Sequence, residues 1–281
     1  VNPTVAYKVN EYLSVGGGVD FMYGKAKLEK NAPSDLYQVN LDGDGTAWAF
    51  NLGVLVTPSK EWKVGLSYRS PFKLKVHEAG LKLSNIAHIN AGAGFADEVL
   101  VGELADNKAN AIINMPPTAA LGVSYTRDKL TLEVDVDWTF WQNFKSLDVN
   151  VKNNHPYLPD MPIPENWRDT VAFYIGGEYR VTDPLSLRAG FRYDPTPVPA
   201  TTMSPLLPDA LKLYYCLGAG YKYSNWKFDL AYMYVSKRDR TVNNMGVNDP
   251  IISATGTYGS GFNGKWSGFA HLVAFDVGYK F

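Results

Sequence analysis

The sequence predicts an all-β chain, an antiparallel transmembrane β-barrel with about eleven strands, forming a single domain over residues 1–281. Three observations predict it. The last nine residues, Val273-Ala274-Phe275-Asp276-Val277-Gly278-Tyr279-Lys280-Phe281, alternate large apolar residues with small or charged ones, as a strand with one greasy face does. The same alternation recurs along the chain at about the length of a tilted membrane-crossing strand. The connections between these stretches alternate short and long, which is the loop sorting of an outer-membrane barrel.

Taken in order, Pro3 to Lys8 is the first strand, and a tight link at Asn10-Glu11 follows it. Leu13, Val15, Gly17, Val19, Phe21 and Tyr23 form one face of the second. Trp48 to Val56 marks the third, Trp62 to Tyr68 the fourth, and Ala119 to Tyr125 the fifth. Leu130, Leu132, Val134, Val136, Trp138 and Phe140 alternate with Thr131, Glu133, Asp135, Asp137 and Thr139 in the sixth. Val171 to Tyr179 is the seventh and Leu185 to Tyr193 the eighth. Leu213 to Tyr223, Trp226 to Tyr234 and the C-terminal stretch complete the set. Long extracellular loops run over about 29–44, 79–112, 145–165, 195–210 and 237–262.

Register can be tested on paper. A turn at Thr182-Asp183-Pro184 sets Val181 against Leu185 and Glu178 against Arg188, and it sets Tyr174 opposite Arg192. A two-residue turn at Arg127-Asp128 sets Tyr125 against Leu130 and Gly122 against Glu133. Both keep like faces together. Single-chain bacterial barrels have even strand numbers, with both termini on the periplasmic side. Eleven strands counted back from Phe281 leave Val1 outside, so further N-terminal strands are expected, with a gap or strained seam between first and last.

Composition narrows the function classes. Aromatics make up 14% of residues, Gly numbers 25, and the formal net charge is -1. No dense basic run occurs, so no nucleic-acid partner is expected. Mean hydropathy is -0.19, and no apolar run of about 18 residues exists to make a helical span. Cys216 is the single cysteine, which excludes an intrachain disulfide. His77, His88, His155 and His271 are scattered away from metal-ligand spacing, and no G-x-S-x-G occurs. An enzyme, a metal and a cofactor are therefore not expected.

The inward face by parity mixes glycines with charges. The glycines either leave space for a solute or plug, or kink the wall. The charges neutralise one another in a wet interior, or Arg188 and Arg192 begin an anion site. Trp141 and Tyr174 face inward by parity, with Phe144 and Lys145 nearby; these aromatics line an apolar pocket or fill space. Leu81, Leu83, Ile86, Ile89, Phe95, Val99 and Leu100 make the 79–112 loop apolar, which implies a small packed subdomain, with room for short helices, or a greasy binding surface.

These residues resemble the FadL-type outer-membrane transporters of long-chain fatty acids and other hydrophobic compounds. The resemblance spans nearly the whole chain. It rests on Asn2-Pro3-Thr4-Val5-Ala6-Tyr7-Lys8, on Tyr23-Gly24-Lys25-Ala26-Lys27, and on Trp138-Thr139-Phe140-Trp141-Gln142-Asn143-Phe144. Its most specific piece is Tyr193-Asp194-Pro195-Thr196-Pro197-Val198-Pro199, followed by Leu207-Pro208-Asp209. The resemblance implies a barrel of about fourteen strands with an N-terminal hatch, of which this chain holds the C-terminal strands. It also implies ligand capture on apolar loops, an internal pocket and sideways exit into the membrane. In the family, basic residues meet the ligand carboxylate. Lys25 falls at one such position but by alternation shares the lipid-side face of Tyr23, so a bulge is needed to turn it inward. Asp148, with Lys145 nearby, falls at another.

The expectation is a monomeric bacterial outer-membrane protein, embedded in lipid, that passes hydrophobic small molecules, long-chain fatty acids first among them. An aromatic-hydrocarbon channel of the same family, a polar-solute porin and a surface-binding adhesin are the alternatives.

Overall fold

A computed structural model of the chain describes residues 1–31, 37–85, 107–152, 161–204, 207–243 and 263–280. They form fifteen strands in one antiparallel sheet. The strands are β1 (Thr4–Lys8), β2 (Leu13–Asn31), β3 (Tyr37–Val56), β4 (Trp62–Arg69), β5 (Phe72–Asn85), β6 (Asn107–Met115), β7 (Thr118–Arg127), β8 (Leu130–Thr139), β9 (Ser146–Val151), β10 (Met161–Pro164), β11 (Thr170–Arg180), β12 (Leu185–Asp194), β13 (Lys212–Tyr223), β14 (Trp226–Val242) and β15 (Gly264–Tyr279). No described helix is long and apolar enough to cross a membrane.

Eleven of these are the strands that alternation predicts. β11 to β15 run as consecutive neighbours, preceded by β4, β7 and β8. Period-two alternation sets the two faces. Val273 and Phe275 are 72% and 67% exposed on the outer face. The opposite face carries Gly53, Gly65, Gly122 and Asp135 around an interior cavity. Among the described residues β1 pairs with β2 alone and β15 with β14 alone, so the sheet is not closed, as the strand count led one to expect.

Four strands lie where loops were expected. β5 and β6 occupy parts of the 79–112 loop and of the residues just before and after it, and β9 and β10 lie within 145–165. They extend the sheet because β2 and β3 continue far beyond the wall, paired without a break from Leu13↔Val56 to Asn31↔Gln38. The 29–44 loop is therefore strand at both ends. The free edge of this extension must find hydrogen-bond partners. β5 pairs with it, β6 with β5, and β9 with β6. Alternation missed β5 because its period is broken. Register shifts fall between Val76 and Ala79 and between Asp42 and Gly45, and Glu78 sits at φ +54 within the first. The shift lets Val76 and Ala79, three apart, both become buried. The described part of that loop is thus packed strand, not helix.

The hairpin registers give one agreement and one correction. Val181 N–H donates to Leu185 O at 2.9 Å, and Glu178 faces Arg188, as expected. At β7–β8, Arg127 pairs with Leu130, Tyr125 with Leu132 and Gly122 with Asp135. The turn is Asp128-Lys129, one residue later than expected. Asp128 adopts φ +53, a left-handed conformation that aspartate tolerates in two-residue turns.

Candidate ligand cavity

After Thr139 the chain leaves the wall and makes one 3-10 turn, Trp141–Asn143. Residues 165–169 cross beside it and bind it at several points. Glu165 and Asn166 N–H both donate to Lys145 O at 2.7 and 2.9 Å, and Trp167 N–H donates to Phe144 O at 3.2 Å. Asp169 Oδ1 accepts from Gln142 N–H at 2.9 Å. The described residues of the 195–210 segment are irregular, in keeping with its five prolines. It is held by Arg168 N–H donating to Pro197 O, and by Arg240 donating to Val198 O and Asp209 O. Val198, Met203 and Val242 form a buried cluster there, against which Trp167 and Trp266 pack.

Between these segments and the inward face of β8, β11, β12 and β13 lies a cavity of about 450 Å³. Trp141, Trp167, Tyr174, Pro195, Pro197, Leu207 and Pro208 supply its apolar walls. Trp141, Phe144 and Trp167 pack edge to face, with Trp167 4.7 Å from Trp141 and 4.8 Å from Phe144. Strand register brings Tyr174, Arg192 and Tyr214 side by side. The Arg192 guanidinium is sandwiched between them, 4.7 Å and 4.9 Å from the two ring centres.

The cavity's cations face carboxylates. Arg192 Nη2 lies 3.1 Å from Asp194 Oδ2, and Lys212 Nζ lies 2.6 Å from Asp209 and 3.7 Å from Asp194. Elsewhere on the inward face Arg188 joins Glu178 at 2.6 Å and Asp229 at 2.8 Å, and Lys227 joins Asp229 at 2.7 Å. Near β2, Arg69 lies 3.4 Å from Asp20. These pairs set cation against carboxylate across the inward face, which accords with mutual neutralisation, one of the two readings of those charges.

The structure brings three of the sequence-singled residues, Trp141, Tyr174 and Arg192, into this cavity. Phe144 is buried behind it at 4% exposure. Arg188 lines an adjoining space of about 690 Å³ that also reaches Tyr174, Arg192 and Cys216. Lys145 contributes its backbone carbonyl, and its side chain is exposed. Lys25 stays on the exposed face of Tyr23, because the β2–β3 register carries no bulge to turn it inward. Leu81 and Leu83 lie on β5, opposite Leu41 and Val39. Ile86, Ile89, Phe95, Val99 and Leu100 lie outside the described residues. Sequence reasoning missed Tyr214, Asp194 and Trp167 as wall residues. The first was legible, since parity turns Tyr214 inward with Lys212. Trp167 sits in an irregular segment with no periodicity to orient it.

A family model described as "Outer membrane protein transport protein (OMPP1/FadL/TodX)" matches residues 1–281. The chain belongs to this family. Relatives of the OMPP1/FadL/TodX family include outer membrane protein P1 of Haemophilus influenzae, 25% identical over 320 residues, covering 100% of this chain and 64% of the relative. A long-chain fatty acid transport protein of Escherichia coli O6:H1 is 24% identical over 251 residues, covering 80% of this chain and 55% of the relative. The chain thus spans less than two thirds of the length of each. Among solved structures, a Pseudomonas aeruginosa FadL homologue superposes with TM-score 0.73 at 23% identity, over 98% of this chain and 64% of that one. The CymD monoaromatic hydrocarbon channel superposes with TM-score 0.61 at 19% identity, over 84% of this chain and 68% of that one. These likenesses carry the fold: an outer-membrane β-barrel of the Gram-negative type, seen here as a set of its wall strands.

Proposed function

We propose that the protein containing this chain passively admits hydrophobic small molecules through the outer membrane, and that the cavity beside Trp141 holds an uncharged, aromatic-sized part of the ligand. The observation that carries this is the cavity wall, where two tryptophans, a tyrosine, three prolines and a leucine surround a few convergent polar groups. Asp137, Asp194 and Asp209 line it against Arg192 and Lys212. A carboxylate ligand must therefore displace an aspartate already paired with a cation. A neutral hydrocarbon meets no such competitor. The exposed apolar outer face suits lipid contact, and the chain acts as a monomer that performs no covalent chemistry. Capture begins on the apolar 79–112 stretch, with Leu81 and Leu83 among the residues concerned.

A long-chain fatty acid is the second reading. It is supported by the name of the Escherichia coli relative and by Arg192, whose buried Nε makes no hydrogen bond among the described residues.

Calorimetric binding of p-xylene, oleate and maltose to the full-length protein in detergent tests the proposal. Saturable binding of p-xylene with none of maltose is the expected result. Binding of oleate alone would favour the second reading, and binding of maltose alone would leave a polar-solute porin.

A further inference from the structure

Glu165 is a carboxylate where none is needed for solubility. Its residue is 1% exposed, among the largest fully buried side chains in the structure. One oxygen, Oε2, accepts from the Trp167 indole Nε1–H at 2.8 Å, and the other has no hydrogen-bond partner among the described residues. Its backbone is held as tightly: the N–H on Lys145 O at 2.7 Å, and the carbonyl accepting the Thr202 hydroxyl at 2.6 Å. Asn166, next in the chain, sits at φ +49, a left-handed turn that lets consecutive N–H groups share the Lys145 carbonyl.

A buried acid is retained at a stability cost unless it does something a hydrophobic residue cannot. Here it grips the one polar atom of the Trp167 side chain. That ring is packed against Trp141 and Phe144 and against the Val198–Met203–Val242 cluster, and it lines the cavity. We infer that Glu165 is a positioning residue that holds the Trp167 indole as a wall of the ligand cavity and ties the 141–145 and 197–203 segments into one lid whose packing responds to pH.

The direction of the response follows from burial. Desolvation raises the Glu165 carboxyl above its ordinary value, and the Trp167 hydrogen bond opposes this only in part. A carboxyl with a raised folded value keeps its proton to higher pH than in the unfolded chain. The packing is then firmest at acid pH and loosens as pH climbs through the raised value. Neighbouring charges do not reverse this. Lys145, Arg168 and Asp169 have exposed side chains, and Arg240 is bound to the carbonyls of Val198 and Asp209. Among the described residues no cation pairs with Glu165.

Acrylamide quenching of Trp167 in the full-length protein, isolated as the difference between wild type and W167F, tests the inference without any ligand. Quenching should rise with pH in wild type. E165Q keeps the acceptor and removes the titration, so it should show the acid-pH level throughout. E165L orphans the indole N–H and should show high quenching at every pH. A pH dependence that survives in E165Q, or E165L quenching equal to wild type, overturns the inference. E165Q remains decisive should E165L fail to fold. A separate arm, which rests on the transport reading, measures p-xylene affinity. E165L should lose about tenfold and E165Q little. Absence of p-xylene binding in wild type would count against the proposed ligand and leave the quenching result intact.

Discussion

Arg188 Nε donates to Glu178 Oε2 at 2.6 Å, directly across the β11–β12 pair, where strand register sets the two residues opposite one another. The same guanidinium reaches Asp229 at 2.8 Å on β14, so one side chain joins charges from three strands. All three are partly solvent-exposed, so the network is worth less than a dry one. R188M should lower stability by about 1 kcal/mol, and R188M in an E178Q/D229N background by less, because no carboxylate is then left unpaired. Urea unfolding of wild type and the three variants in micelles checks the coupling.

Arg192 should matter more to the cavity than to the barrel. R192L removes two cation–π contacts, each worth about 0.5–1 kcal/mol, and leaves Asp194 with Lys212 and the Tyr214 hydroxyl. If the ligand is a neutral hydrocarbon, p-xylene binding should change by less than about threefold. If it is a fatty acid, oleate binding should fall by tenfold or more, as loss of a charge-assisted bond implies. Parallel titrations with the two compounds separate these outcomes.

Glu78 ties β5 to β6 and to the 145–152 segment through Lys108 and Lys152. Hydrogen bonds from Lys152 and then Lys108 hold its carboxyl down at about 2, from an ordinary 4.5. A depressed carboxylate stabilises the fold above its unfolded value and ceases to do so as pH falls through the folded one. The sheet extension built by β5 and β6 should therefore loosen between about pH 4.5 and 2, and E78Q should be insensitive over that range. Backbone amide exchange at Val76, Ala79 and Ala109 reads the change.

Two glycines should respond oppositely to alanine. A Cβ on Gly45 would run into the backbone carbonyl of Lys75, whereas a Cβ on Gly65 meets nothing within 4 Å. G45A should destabilise by about 1–3 kcal/mol, as overpacking against backbone does. G65A should be neutral or stabilising by up to about 1 kcal/mol, because glycine weakens a strand interior. Heat-modifiability on gels, compared between the two variants, decides.

Alternation alone made the eleven wall strands legible, because membrane and lumen impose opposite polarity on successive residues. The inward placing of Tyr174 opposite Arg192 followed from the same parity once the Thr182–Pro184 turn was placed. The bulge at Glu78 was not legible: one inserted residue erases the period on which strand reading depends. Nor was the Asp128-Lys129 turn, where a left-handed aspartate moves the turn by one residue and each cross-strand partner by two. Trp167 and Glu165 lie in a segment with no repeating pattern. Their meeting with Trp141, Phe144 and Thr202 depends on hydrogen bonds between residues distant in sequence. Local periodicity thus determined the wall and its two faces, since each residue's side follows from its neighbours. The lid, the cavity it closes and the buried acid beneath it were decided only by tertiary contacts, because three irregular segments had to converge before any of them existed.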